Sequence, residues 1–312
     1  MRRVAAVAAL VFGALVTAPG AAPAGDTGEP SPGCGAAPTP GVSIETIAFG
    51  GASREYHLAV PAGVGARETL GLVLNFHGFG SNADQQAVYS ELEEKGPERG
   101  YVVVTPQGTG DPAFWNIIGL EAPDDAAYTE VLIDAAAARL CVDPRRVYAT
   151  GMSNGGGMSS YLGCQVGDRF AAVAPVAGVN LAFDECPNGK GVSVIAFHGE
   201  GDAVVPYEGG AIGIGVLPDR QLPSVEEAVA SWGERAGCRE RARTENVSEH
   251  VVLTDYSRCR RGTDVQLYSV TDGGHTWPGA IDVPRLGAVT TEIDAADLIL
   301  DFFDEHRRPR RR

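Results

Sequence analysis

Short, largely apolar runs that alternate with helical segments constrain what this chain can fold into more than any other feature. Leu72–Phe76, Tyr101–Thr105, Ala171–Val176 and Val192–Phe197 are each five or six residues long. Strands buried on both faces have this composition, because each face meets a packed layer. Ala83–Lys95 has helical patterning. Asp124 or Asp125 can cap a helix whose apolar positions are Tyr128, Val131, Leu132, Ala135 and Leu140. Further helices are expected up to about Cys164, over 224–236 and over 292–306, with strands at Val147–Thr150 and Val265–Val270. This order specifies an α/β fold, with a mostly parallel central sheet and helices on both faces. Val42–Ala48 and Arg54–Val60 alternate apolar with polar residues and read as antiparallel strands. No internal repeat is visible, so a single domain over 42–306 is expected.

The ends differ in composition. Arg2 and Arg3 precede an apolar run from Val4 to Val16, and Ala22-Pro23-Ala24 offers a small-residue cleavage site. That is the layout of a secretory signal peptide over 1–24. The run is too short to cross a bilayer, and no other stretch is long enough, so no membrane span is expected. Residues 25–41 are rich in Pro and Gly and read as a linker or extended arm. The basic residues from Arg307 to Arg312 read as a solvated tail.

Behind the signal-like segment stand Cys34, Cys141, Cys164, Cys186, Cys238 and Cys259. An even cysteine count in a secreted chain implies disulfides, although sequence alone selects no connectivity. The expected set is Cys164–Cys186 and Cys238–Cys259, with Cys34–Cys141 tying down the N-terminal segment. Each of the two local loops contributes about 3 kcal/mol in the loop-entropy description. No C-x-x-C spacing occurs, so a zinc site is not expected. A formal charge of −15 does not suit the phosphate backbone of nucleic acid. The expectation is a secreted, extracellular protein, monomeric by default.

Gly151-x-Ser153-x-Gly155 carries the chemistry. With 41 glycines in the chain the string alone is weak, but it follows a strand and opens a helix, the setting that such a turn requires. A serine hydroxyl needs a base for its proton and donors for the oxyanion. Among the histidines after Ser153, His275 lies on the loop between a late strand and the closing helix, within Asp272-Gly273-Gly274-His275-Thr276-Trp277-Pro278-Gly279. His198 comes too early in the order, His250 sits in an alternating strand, and His306 adjoins the basic tail. Asp202, after strand Val192–Phe197, is the acid that would orient His275; Glu200 and Asp272 are alternatives. The backbone N–H groups of Phe79 and Asn154 are the candidate oxyanion donors. The ring of His77 reads as a structural hydrogen bonder. Trp115 and Trp277 fall on candidate active-site loops and could offer aromatic platforms to a substrate.

Four segments carry a resemblance. They are Asn75-Phe76-His77-Gly78, Gly151-Met152-Ser153-Asn154-Gly155-Gly156-Gly157-Met158, Phe197-His198-Gly199 with Asp202 and Val205-Pro206-Tyr207, and Gly273-Gly274-His275-Thr276-Trp277-Pro278-Gly279. Together they resemble the secreted polyhydroxybutyrate depolymerases, and the feruloyl and acetylxylan esterases of carbohydrate esterase family one, over about residues 42–305. The resemblance implies an α/β-hydrolase fold, a Ser153–Asp202–His275 triad, a polymeric or oligomeric ester substrate and no metal or organic cofactor. Depolymerases that attack solid polyester often carry a linker and a polymer-binding module. This chain shows neither, which turns the expectation toward soluble esters, oligomers or acylated plant polysaccharide. A secreted serine peptidase of the same fold and a non-catalytic binder of polysaccharide or polyester are the competing readings.

Overall fold

The computed structural model describes residues 31–182, 186–187, 191–212, 221–239 and 242–309. The expected signal segment 1–24 lies outside them. In chain order the elements are β1 (Gly41–Phe49), β2 (Ala52–Val60), β3 (Leu70–Phe76), α1 (Ala83–Ser90), α2 (Leu92–Glu98), β4 (Tyr101–Pro106), α3 (Asp125–Arg139), β5 (Val142–Met152), α4 (Asn154–Gln165) and β6 (Ala172–Val176). Then follow β7 (Ser193–Gly199), a ribbon of β8 (Gly210–Ala211) with β9 (Gln221–Leu222), α5 (Val225–Ala236), β10 (Arg243–Asn246), β11 (Val251–Tyr256), β12 (Val265–Val270) and α6 (Ala295–Glu305).

The long strands make one sheet in the order β1-β2-β4-β3-β5-β6-β7-β12-β11-β10. Its centre, from β4 to β12, is parallel. Antiparallel pairs flank it on both sides. The parallel strands are the apolar runs of the sequence, and alternate residues feed two cores. Leu72, Leu74 and Phe76 of β3 join Leu132 of α3, Leu162 of α4 and Trp232 of α5 on one face. Val73 joins Leu92 of α2 and Ile299 and Phe303 of α6 on the other. From β3 the chain steps to β4 on one side and then to β5 on the other. That reversal opens a crevice beyond the carboxyl ends of β3 and β5, where ligands of such sheets bind.

Several expectations are corrected. The helix expected over Ala83–Lys95 is two helices, because Glu91 takes a left-handed conformation (φ 56°) and redirects the chain. The turn lays Leu92 and Gly96 against β4; a Cβ on Gly96 would come within 2.5 Å of Val103 Cγ2. His250 lies in the turn ahead of β11, not in a strand. The described part of the Pro/Gly-rich segment is no free arm. Ser31 Oγ donates to the Leu140 carbonyl at 2.8 Å and accepts from the Val142 N–H at 2.9 Å. Nor is the start of the basic tail loose: Arg308 N–H donates to the Arg145 carbonyl at 3.0 Å, and Arg145 Nε donates back to the Arg308 carbonyl at 2.8 Å. Arg310–Arg312 lie outside the described residues.

The disulfides are Cys34–Cys141, Cys164–Cys186 and Cys238–Cys259. Such bridges persist in oxidising compartments and fit a secreted protein. No helix among the described residues is long and apolar enough to cross a membrane.

Candidate active site

β5 ends at Met152, α4 begins at Asn154, and Ser153 is the single residue between them. It takes φ 57° and ψ −121°, a conformation that L residues rarely adopt. The surroundings hold it there. Its N–H donates to the Val176 carbonyl at 2.8 Å, and its carbonyl accepts from Gly157 N–H at 2.8 Å. The turn is possible only because its neighbours lack side chains. A Cβ on Gly155 would sit 2.1 Å from the Phe76 carbonyl oxygen, and one on Gly178 would sit 2.3 Å from that of Ser153. Gly155→Ala should therefore cost about 1–3 kcal/mol, measurable as a lowered denaturant midpoint, because backbone must move. An unchanged midpoint would show that the elbow is not packed in this way.

Two loops bring the remaining groups to the serine. Asp202 follows β7, and its Oδ1 accepts from the N–H groups of Val204 and Val205, both at 2.8 Å. Its Oδ2 accepts from His275 Nδ1 at 2.7 Å. The His275 loop follows β12 and is held by His275 N–H donating to the Leu286 carbonyl at 2.7 Å. Glycine permits this approach too, since a Cβ on Gly199 would lie 2.2 Å from the Gly273 carbonyl oxygen. Asp202, His275 and Ser153 are each buried, while the alternative acids Glu200 and Asp272 are exposed. Burial works against charge on Asp202, but hydrogen bonds from His198 and His275 outweigh it and hold its carboxyl well below the ordinary carboxylate range.

His198, which chain order places too early for the base, touches the same carboxylate. Its Nε2 donates to the Val205 carbonyl at 2.9 Å and lies 3.3 Å from Asp202 Oδ2. The signal available in the sequence was its place four residues before Asp202 at the end of a buried strand. Ser153 and His275 line one cavity of about 580 Å³, together with Phe79, Asp84, Tyr89 and Arg285. Asp202 engages Nδ1 of His275, so Nε2 is the ring nitrogen left for the serine side.

The Gly78–Phe79 peptide runs beside the serine, where a Cβ on Gly78 would stand 3.4 Å from Ser153 Cβ. His77 fixes its plane by donating from Nδ1 to the Gly78 carbonyl at 2.7 Å. Its Nε2 accepts from Gly108 N–H at 2.9 Å. In a trans peptide the N–H points opposite to the carbonyl, so this bond also aims the Phe79 N–H. Asn154 opens α4, and the first amides of a helix have no intrahelical acceptor.

Burial pushes the His77 imidazole down to about 4. Unfolded, the same ring titrates near 6.5. A histidine depressed on folding contributes its full stability above the unfolded value and loses it as pH falls toward the folded one. The loss here runs from about 6.5 down to 4 and is of order 3 kcal/mol. Unfolding curves at pH 7 and pH 4 for the parent and for His77→Gln should show a smaller pH loss in the variant. Equal losses would contradict the assignment.

The two tryptophans part company. Trp115 is 1% exposed, donates its indole N–H to the His77 carbonyl at 2.9 Å, and borders a second cavity of about 170 Å³. Trp277 is also 1% exposed and belongs to the core beneath α6. It lines neither cavity, which corrects its expected role as a substrate platform: the loop turns its ring inward.

The fold is that of the α/β-hydrolases, and the comparisons with known proteins make the chain an esterase. A family described as Esterase PHB depolymerase matches residues 54–189. The chain is 30% identical over 265 residues to feruloyl esterase D of Neurospora crassa, covering 82% of this chain and 85% of that protein. It is 28% identical over 230 residues to feruloyl esterase B of Piromyces equi, covering 71% of this chain but only 42% of that longer protein. Among solved structures, an acetyl xylan esterase from Aspergillus awamori superposes with a TM-score of 0.60 at 13% identity, covering 84% of this chain and 99% of that one. The last comparison speaks to fold alone. The chain belongs to the family of carboxylic-ester hydrolases that includes feruloyl esterase D.

Proposed function

We propose that this protein is a secreted serine esterase whose catalytic unit is residues 42–306, exported by means of 1–24. Ser153 Oγ attacks the ester carbonyl carbon while His275 Nε2 takes its proton. The N–H groups of Phe79 and Asn154 hold the oxyanion. Collapse of the tetrahedral species breaks the bond to the alcohol oxygen, and His275 returns the proton to it. Water, deprotonated by the same imidazole, then releases the acid and regenerates Ser153. Asp202 holds the neutral ring with its proton on Nδ1 and stabilises the imidazolium. The buried 2.7 Å bond between Asp202 and His275, whose ring lines the same cavity as Ser153, carries this reading.

The substrates proposed are acyl esters of plant polysaccharide, of feruloyl or acetylxylan type, or short hydroxyalkanoate oligomers. The names of the relatives and of the matching family support both classes. The test is turnover of p-nitrophenyl acetate and butyrate, methyl ferulate, acetylated xylan and hydroxybutyrate oligomers, with fluorophosphonate labelling in parallel. Label on Ser153 and hydrolysis of at least one ester are expected. A folded protein that takes no label and cleaves none of them overturns the proposal.

A further inference from the structure

We propose that the two cavities meeting at Ser153 divide the ester between them, and that the smaller takes an acyl chain without a hydroxyl near the carbonyl. The inference rests on the acyl-enzyme reading above. The sides follow from where the proton must go. His275 hands a proton to the departing alcohol oxygen, so the alcohol occupies the side that His275 lines, and His275 lines only the larger cavity. The carbonyl oxygen turns toward the Phe79 and Asn154 amides. The acyl chain takes the remaining direction, into the smaller cavity, whose wall also includes Ser153 and Asn154.

The linings differ in kind. Ile117, Leu120 and Leu181 wall the smaller cavity, and no ionisable side chain among the described residues lines it. Each of its polar side chains beyond the serine has a protein partner. Asn154 Oδ1 accepts from the Trp115 N–H at 2.7 Å, and its Nδ2 donates to the Trp115 carbonyl at 3.0 Å. The Trp115 indole N–H is taken by the His77 carbonyl. A hydroxyl on the third carbon of the acyl chain therefore lies against a wall that is mostly apolar among the described residues. An apolar pocket discriminates against such an added hydroxyl by about 10- to 100-fold. Leu120 is 48% exposed and marks the mouth, where substituents at the far end of a longer chain reach water. The larger cavity presents Asp84, Gln85 and Arg285, groups that suit an alcohol rich in hydroxyls. Of the two substrate classes, plain or arylpropenoyl acyl groups on a sugar hydroxyl fit this division, and 3-hydroxyacyl chains do not.

The experiment holds the alcohol constant. With p-nitrophenyl butyrate and p-nitrophenyl 3-hydroxybutyrate, kcat/KM should be about 10- to 100-fold lower for the hydroxylated ester. Equal values overturn the exclusion of hydroxyacyl chains. A second arm tests the sides. Leu120→Trp should lower the ratio of butyrate to acetate turnover about tenfold. Ile281→Trp, in the larger cavity, should instead shift the ratio of acetylated xylan to p-nitrophenyl acetate. The reverse pattern overturns the assignment of sides. Absence of turnover on every ester, in a parent that is folded, overturns the acyl-enzyme reading itself and the inference with it.

Discussion

Ser153→Ala should lower kcat on any accepted ester by about a million-fold, because removing the nucleophile of a serine hydrolase disables the whole constellation. Asp202→Asn should cost less, about ten-thousand-fold, since it leaves nucleophile and base in place but disturbs the tautomer and charge of His275. The order of these two losses separates the roles. Release of p-nitrophenol from p-nitrophenyl acetate, with circular dichroism to confirm folding, gives both numbers. A Ser153→Ala protein that keeps a few per cent of turnover would sink the assignment. Ser153→Gly adds a second readout. It removes the nucleophile and also the steric cost of φ 57°, so it should be inactive yet more stable than the alanine variant by about 1 kcal/mol.

The largest loss of stability is expected at Asp125. Its side chain is fully buried and holds Arg54, itself buried, through Oδ1 at 3.2 Å to Nη1 and 3.1 Å to Nη2. Arg54 also stacks on the Tyr128 ring at 3.8 Å and donates to the Gln107 carbonyl at 3.2 Å. Oδ2 of Asp125 accepts from the Asn116 N–H at 2.9 Å. Asp125→Ala strands a guanidinium out of water and frees the loop that carries Trp115. Breaking a buried pair on one side costs about 3–5 kcal/mol. Urea titration should show that loss, and ester turnover should fall with it as the small cavity loses its wall. Exchanging the pair for apolar residues of similar volume, Arg54→Met with Asp125→Leu, should recover much of the stability but not the anchor at Asn116. A single variant within about 1 kcal/mol of the parent would mean that water reaches Arg54 in solution.

The parts of the site that were legible in the sequence are those governed by local sterics or by chain order. The elbow needs small residues at defined offsets around one strained position, and Gly151, Gly155 and Gly157 stand there in the string itself. His275 and Asp202 followed from the succession of strands and loops. What was hidden depends on direction. Whether a tryptophan beside the base faces the solvent or the core is set by α6 and Tyr89, far away in sequence, and Trp277 went inward. His198 reaches Asp202 only because the turn after β7 folds back through Gly199 and Gly201. The break at Glu91 carries no glycine or proline to announce it. It arises where α2 must lie close on β4, a demand written in Val103 and Gly96 rather than at the break. Arg54 and Asp125 are 71 residues apart, and nothing local in either marks a partner.

β5 has a geometric consequence for handling the molecule. Its carboxyl end delivers Ser153, while its amino end receives both Cys34, through Cys141, and Arg308, through Arg145. The eight residue steps from Arg145 to Ser153 span on the order of 25 Å of extended chain. A tag or support attached beyond either anchored end starts its path from the pole opposite the reaction mouth. Enzyme grafted to a bead through its termini should thus face outward, with its cleft open to the solution.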